Sequence, residues 1–236
     1  LQPAAAADPI KIGVNCTMKP GGAEEAAIMK FKELVEAKSN GGMVVNPFMS
    51  GQLGAEIPVL GLLKIGKTEM SLTGGLFLSQ YASDYNALNI PYLFTWEQMV
   101  DYINGPFGQK IMELASKNGG IKVYGPQYRA PRHMTSNRAI HKADDVKGLK
   151  MRLPKIPMWL RVWEALGALP VAIPAPEIYL AMKTGQVEAH ENTLVGPYSR
   201  SMWEVQKYII LTSHVYLPWW WVASEVWLKK LTPEQQ

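Results

Sequence analysis

Two kinds of periodicity alternate over the first 75 residues, and this alternation restricts the fold more than any other feature of the chain. Residues 11–15 are a short apolar run, residues 24–37 place Ile28, Phe31, Leu34 and Val35 on one helical face, and residues 43–47 are a second short run. The loop Ser50-Gly51-Gln52-Leu53-Gly54 leads to helical residues 56–65, and residues 69–73 are a third run, ending in Gly74-Gly75. Apolar residues at helical spacing mark an amphipathic helix, and short apolar runs bounded by turn residues mark buried strands. The resulting β-α-β-α-β order belongs to the α/β class and builds a parallel sheet with right-handed crossovers. Ligands of such sheets sit beyond the carboxyl ends of the strands, which here are residues 15–17, 48–49 and 73–75. Gly74 and Gly75, having no side chains, let the backbone approach a bound group closely.

The pattern then changes. Residues 95–116 read as a helix broken in two by Gly105-Pro106, and residues 121–128 as a strand. After Ala130-Pro131 the chain becomes basic and polar, Arg132-His133-Met134-Thr135-Ser136-Asn137-Arg138, which we take as the entry to a second lobe. Strands follow at 149–153, 170–173 and 187–190, helices at 158–166, 176–182 and 199–210, and extended chain at 211–221. The expected division is one discontinuous lobe of residues 1–130 with 212–236, and a second lobe of residues 131–211.

Several function classes fall away. The net charge of +4 suits anionic solutes, but no Lys/Arg-rich run offers a nucleic-acid surface. A single cysteine, Cys16, excludes an internal disulfide, and four histidines without ligand spacing predict no metal site. There is no nucleophile elbow, zincin helix, phosphate loop or dinucleotide fingerprint, so neither a catalytic residue nor a cofactor is expected. No apolar run reaches 18 residues, so the chain is not expected to be embedded in a membrane. The Ala-rich residues 1–8 read as the tail of a secretory signal, and Thr232-Pro233-Glu234-Gln235 reads as a helix start, with a cap, a proline at the first position and a capping-box glutamine. A longer chain, carrying a further helix, is the expectation.

Arg152 is the leading candidate site residue. It lies within Lys150-Met151-Arg152-Leu153-Pro154, a strand otherwise suited to burial, and a half-buried guanidinium needs an anion that its planar fork can grip. Arg132 and Asn192 could add hydrogen bonds to the same anion. Arg129 and Lys155 could hold a second acid group, although both read as solvated surface charges. In Pro218-Trp219-Trp220-Trp221, strand alternation sends Trp219 and Trp221 to one face and Trp220 to the other, and an aromatic on the cleft side would line it. Trp159 and Trp163, four apart on a helix, read as core.

The motifs carry a resemblance. Thr135-Ser136-Asn137-Arg138, the run Ala143-Asp144-Asp145-Val146-Lys147-Gly148-Leu149-Lys150-Met151-Arg152-Leu153-Pro154, Glu164-Ala165-Leu166-Gly167-Ala168 and Glu177-Ile178-Tyr179-Leu180-Ala181-Met182-Lys183-Thr184-Gly185-Gln186-Val187-Glu188 resemble the DctP-type substrate-binding proteins of tripartite ATP-independent periplasmic (TRAP) transporters. So do Glu191-Asn192, Glu204-Val205-Gln206-Lys207-Tyr208, Thr212-Ser213-His214-Val215-Tyr216 and Ser50-Gly51-Gln52-Leu53-Gly54. The resemblance implies a two-lobed periplasmic binding fold (type II-like) that closes on a ligand, with a C-terminal bracing helix this chain lacks. It implies a clamp arginine at Arg152, a supporting arginine at Arg132, and asparagines at Asn192 and Asn15. It also implies a periplasmic location, a monomer, and delivery of the ligand to TRAP membrane subunits. Relatives that bind a sialic acid have a glutamate where this chain has Gly74, a phenylalanine where it has Ala175, and a polar residue where it has Trp219. Those exchanges enlarge the cleft, add an aromatic wall, and point to a monocarboxylate with an aromatic or apolar tail. A dicarboxylate or sugar acid, or a sensor role beside a signalling receptor, remains open.

Overall fold

The computed structural model describes residues 8–236. The Ala-rich segment 1–7, read above as the tail of an export signal, lies outside the described residues.

Two five-stranded sheets organise the molecule. The first begins as the periodicity implies, with β1 (Ile10–Cys16), helix α1 (Ala23–Lys38), β2 (Met43–Phe48), α2 (Glu56–Lys64) and β3 (Met70–Thr73). β1 pairs parallel with both β2 and β3. After α3 (Leu76–Tyr81), the broken helix appears as α4 (Trp96–Asn104) and α5 (Pro106–Gly119). Thr95 and Gln98 form a reciprocal capping box at the start of α4, and Gly120 closes α5 in the left-handed conformation, as capping chemistry requires. β4 (Ile121–Gln127) then joins an edge of this sheet.

The chain crosses to the second sheet over residues 128–131. There β5 (Arg132–Ser136), β6 (Lys150–Leu153), β7 (Leu169–Ala172), β8 (Ala189–Asn192) and β9 (Tyr208–Val215) carry helices α6 (Pro157–Ala165), α7 (Ile178–Lys183) and α8 (Val195–Ser199) between them. It returns over residues 216–218 into β10 (Trp219–Ser224) and the short α9 (Glu225–Leu228). The strand orders are β2-β1-β3-β10-β4 and β7-β6-β8-β5-β9. Each sheet is mixed rather than wholly parallel: β10 runs antiparallel to β3, and β5 runs antiparallel to β8.

One expectation fails around these crossings, and another is met in a different arrangement. The helix expected over 199–210 is instead the end of α8, a 3-10 turn (Met202–Glu204) and the first residues of β9. β9 opens on Tyr208-Ile209-Ile210, residues that suit a pleated surface, and it pairs with β5, including Ser136 opposite Tyr208. β5 was legible only as a polar stretch, so its partner could not be seen. β9 also stays in the second sheet through Val215, so the extended chain expected over 211–221 is two strands in two sheets.

The tryptophan run alternates as a strand must. Trp220 is fully buried on one face of the first sheet with its ring 5.5 Å from Phe77, whereas Trp221 packs on the other face 5.2 Å from Phe31. At the far end, Thr232 and Gln235 exchange the capping-box hydrogen bonds read from the sequence.

Candidate ligand-binding site

Carboxyl ends of strands from both sheets meet around one cavity. β1 delivers Thr17 and Met18, β3 delivers Gly74 and Gly75, β6 delivers Arg152 and Pro154, and β8 ends in Asn192. Trp219, Ala175, Arg129, Arg132, Arg200 and Glu56 complete much of the lining. The enclosed space is about 50 Å³, and it adjoins a roomier region of about 280 Å³ that shares Thr17, Glu56, Leu76, Arg152, Pro154 and Ala175.

Arg152 is 3% exposed. Its Nε–H donates to the carbonyl of Ile173 at 2.7 Å, a residue just past β7 that is tied to β6 by its own N–H donating to the Leu153 carbonyl at 3.1 Å. None of the ion pairs among the described residues includes Arg152. Burial pushes the guanidinium pKa down, against the opposing influence of Glu191, but guanidinium basicity is high enough to keep the charge at neutral pH. The rest of the fork therefore faces the cavity as a cation lacking a protein carboxylate.

Arg132 differs. It lines the cavity, but Glu191 already holds its fork: Nε donates to Oε2, and Nη2 donates to Oε1 at 2.8 Å and to the Glu191 carbonyl at 3.0 Å. Burial alone would raise the Glu191 carboxyl, yet Arg132 and His214 outweigh it and hold it well below the usual range. The guanidinium also lies 4.8 Å from the Trp159 ring centre. Arg132 is thus charge-matched within the protein by Glu191, while it still lines the cavity.

Asn192 is positioned by its own chain. Its Oδ1 accepts from the Thr193 N–H at 2.9 Å, and the missing side chain of Gly196 makes the room, since a Cβ there would fall 2.6 Å from Nδ2. Gly75 lines the cavity, and a Cβ at that position would lie 2.9 Å from the Leu217 side chain. Lys155 is exposed and lines only the adjoining region. Asn15 is buried on β1 with no partner for its Oδ1, and it is Thr17 and Met18, just beyond it, that line the cavity.

One contributor was set aside in the sequence reading, and three more escaped it. Arg129, read as a surface charge, is 8% exposed. It pairs with Glu24 at 2.8 Å, donates to the Thr193 hydroxyl at 2.9 Å and stacks 5.0 Å from the Trp219 ring centre. Arg200 reaches from the second sheet to the Thr17 carbonyl of the first at 3.0 Å. Trp159, read as core, lines the cavity and donates its indole N–H to the Asn89 carbonyl at 2.5 Å. Glu56, which read only as an acid in the first turn of a helix, accepts the Gly74 N–H at 2.6 Å on Oε1. Burial raises its carboxyl, while the Gly74 N–H and then Arg152 oppose that shift. Only Arg200 gave no sign in the sequence, because it sits in an irregular stretch.

Among the described residues, no helix is long and apolar enough to cross a membrane, and no cluster of His, Cys, Asp and Glu could hold a metal ion.

A buried, unpaired cation between two sheets, enclosed by residues from both, is the site of a two-lobed solute-binding protein. The chain belongs to bacterial extracellular solute-binding protein family 7, DctP, whose profile matches residues 15–236. This is a family of solute-binding proteins rather than of enzymes. A solute-binding protein of Roseobacter denitrificans is 30% identical over 214 residues, which cover 89% of this chain and 65% of that relative. Among solved structures, a TRAP periplasmic solute-binding protein from the same species with bound L-galactonate superposes with a TM-score of 0.92 at 28% identity, covering 96% of this chain and 76% of that one. One from Sulfurospirillum deleyianum with bound succinate gives 0.92 at 25% identity, covering 96% and 74%. The chain therefore spans a little under two thirds of the length of the curated relative.

Proposed function

We propose that this protein captures an organic acid in the periplasm and delivers it to the membrane subunits of a TRAP transporter. The observation that carries the reading is Arg152: a buried guanidinium, aimed by the Ile173 carbonyl, with no ion pair to a carboxylate among the described residues. A ligand carboxylate fills that place with charge-assisted hydrogen bonds. Asn192 orients the same group, and the carbon skeleton lies along Leu76, Ala175, Leu217 and Trp219. This apolar wall supports a monocarboxylate whose tail is aromatic or otherwise apolar. Arg129 already covers one face of Trp219, so the ligand meets an aromatic edge with a cation behind it. A sugar acid is the second reading, supported by the polar groups facing that wall and by the relatives that carry galactonate.

The lobes close because the ligand touches both at once, and a ligand shifts an equilibrium only by its difference in affinity for the two states. The closed, loaded form is the one the transporter would dock, as a monomer. The test is calorimetry with a panel of organic acids on the wild type and Arg152→Ala. Losing one partner of a buried charge pair costs about 2–5 kcal/mol, so the variant should bind its acid at least about 30-fold more weakly. Unchanged affinity would refute the assignment.

A further inference from the structure

We propose that residues 211–214, propped by His133 and hooked by Tyr92, form a proton-sensitive stop on the hinge, which holds the lobes together while His133 is neutral and lets them part when it gains a proton. The inference concerns how the lobes move and holds whichever acid is bound.

The stop is built from an irregular pairing. β9 is an edge strand of the second sheet, and it leads directly into the crossing over residues 216–218. Along it, Val215 lies opposite Arg132 and Ile210 opposite Met134, so residues 211–214 are set against the single residue His133 and bulge outward. Such a bulge interrupts the ladder and leaves backbone groups to be satisfied in other ways. Ser213 takes a left-handed conformation, with φ 45°, which is uncommon for a residue with a side chain. Its N–H donates to Nδ1 of the half-buried His133 at 3.2 Å. The first lobe grips the same bulge. Tyr92, in the loop before α4, donates its backbone N–H to the His214 carbonyl at 2.7 Å and its hydroxyl to the Thr212 carbonyl at 3.0 Å. Tyr92 is itself left-handed, with φ 59°. Conformations of this kind persist where the surrounding contacts hold them. Both Tyr92 bonds join the lobes in the arrangement that encloses the cavity, so the shape of the bulge bears on the hinge.

His133 is the member of this contact that titrates near neutrality. Its Nδ1 accepts an N–H, which only the neutral imidazole can do, since both ring nitrogens are donors once it is protonated. Burial, and then His214, lower it from its ordinary value of 6.5. His214 lies 2.7 Å from the Thr212 hydroxyl and 3.3 Å from the Glu191 carboxylate. β8 places the uncharged Asn192 opposite His133, and Arg132 on its own strand is matched by Glu191. From the first lobe comes the Tyr92 hydroxyl, which burial raises further above its ordinary value. An imidazole lowered in one state favours that state fully above the ordinary value, and the advantage is lost as pH falls through it. The stop is therefore intact at neutral pH and weakens below 6.5.

Amide hydrogen exchange on the unliganded protein tests the proposal, with protection corrected for the intrinsic effect of pH. Between pH of about 7.5 and about 5.5, protection at Ser213 and Tyr92 should fall about 2–10-fold, the scale of one hydrogen bond. Small-angle scattering over the same range should show a larger open fraction. His133→Gln keeps an acceptor that does not titrate, so both readings should stay flat. Tyr92→Phe, at an exposed position, removes one of the two hooks. It should raise the open fraction already at the higher pH, which keeps the proposal testable if the Gln variant folds poorly. Wild-type protection that ignores pH, a fall in protection without opening, an equal fall in His133→Gln, or a Tyr92→Phe profile matching the wild type at the higher pH overturns the proposal. None of these results touches the organic-acid reading, which calorimetry on Arg152→Ala decides.

Discussion

Replacing Glu191 with alanine tests whether Arg132 is neutralised by its own chain. Glu191 is fully buried, and it takes two hydrogen bonds from the Arg132 fork on its carboxylate and a third on its backbone carbonyl. His214 lies 3.3 Å from the same carboxylate. Removing that carboxylate strands a guanidinium whose side chain is 8% exposed, and breaking a buried pair in this way costs about 3–5 kcal/mol. Against the roughly 5–15 kcal/mol that stabilises a typical domain, the loss is large. The thermal midpoint should fall by roughly 6–20 °C, at the 2–4 °C per kcal/mol expected for this chain length. Urea unfolding of Glu191→Ala, Arg132→Met and the Arg132→Met/Glu191→Leu double variant separates the pair from its surroundings. The double variant should recover most of the loss, because an apolar pair of similar volume pays no desolvation cost. A Glu191→Ala penalty below about 1 kcal/mol, the range of exposed pairs, would refute the reasoning. It would mean that Arg132 finds its counter-charge elsewhere, and the charge balance of the cavity would have to be redrawn.

Two further outcomes follow from the same geometry. Arg200→Ala removes the hydrogen bond from the second sheet to the Thr17 carbonyl of the first. Small-angle scattering with saturating acid should then show a larger open fraction, and an unchanged profile would deny Arg200 any part in closure. On acidification, a carboxyl held below its ordinary value contributes stability that is complete above that value and is lost as pH falls. For Glu191 the loss begins as pH drops through about 4.5, the ordinary value from which it is lowered. The urea midpoint should decline below that pH in the wild type and less steeply in Glu191→Gln; equal slopes in the two proteins would exclude Glu191 as the source.

What could be read directly from the sequence was local. The helix α1, the break at Gly105-Pro106 and the alternation of Trp219, Trp220 and Trp221 each follow from a few neighbouring residues, and each appears in the structure, although Leu34 of the expected α1 face stays exposed. Arg152 was legible for the same reason, since one charge in a buried strand is an anomaly within five residues. The start of β9, residues 208–210, was misread as helix because its conformation is set by β5, some seventy positions away, and no local signal carries that pairing. The division of labour among the arginines was also invisible. Arg132 and Arg152 look alike as residues, and what separates them is that the antiparallel pairing of β5 and β8 sets Arg132 beside Glu191, while the parallel pairing of β6 with β7 offers Arg152 only a carbonyl. The sequence by itself determined the elements with a local signal, the β-α-β-α-β start above all, and that one buried cation would need an anion. Tertiary structure decided which cation that is, because a charge is free or matched only according to what long-range pairing brings within hydrogen-bonding distance.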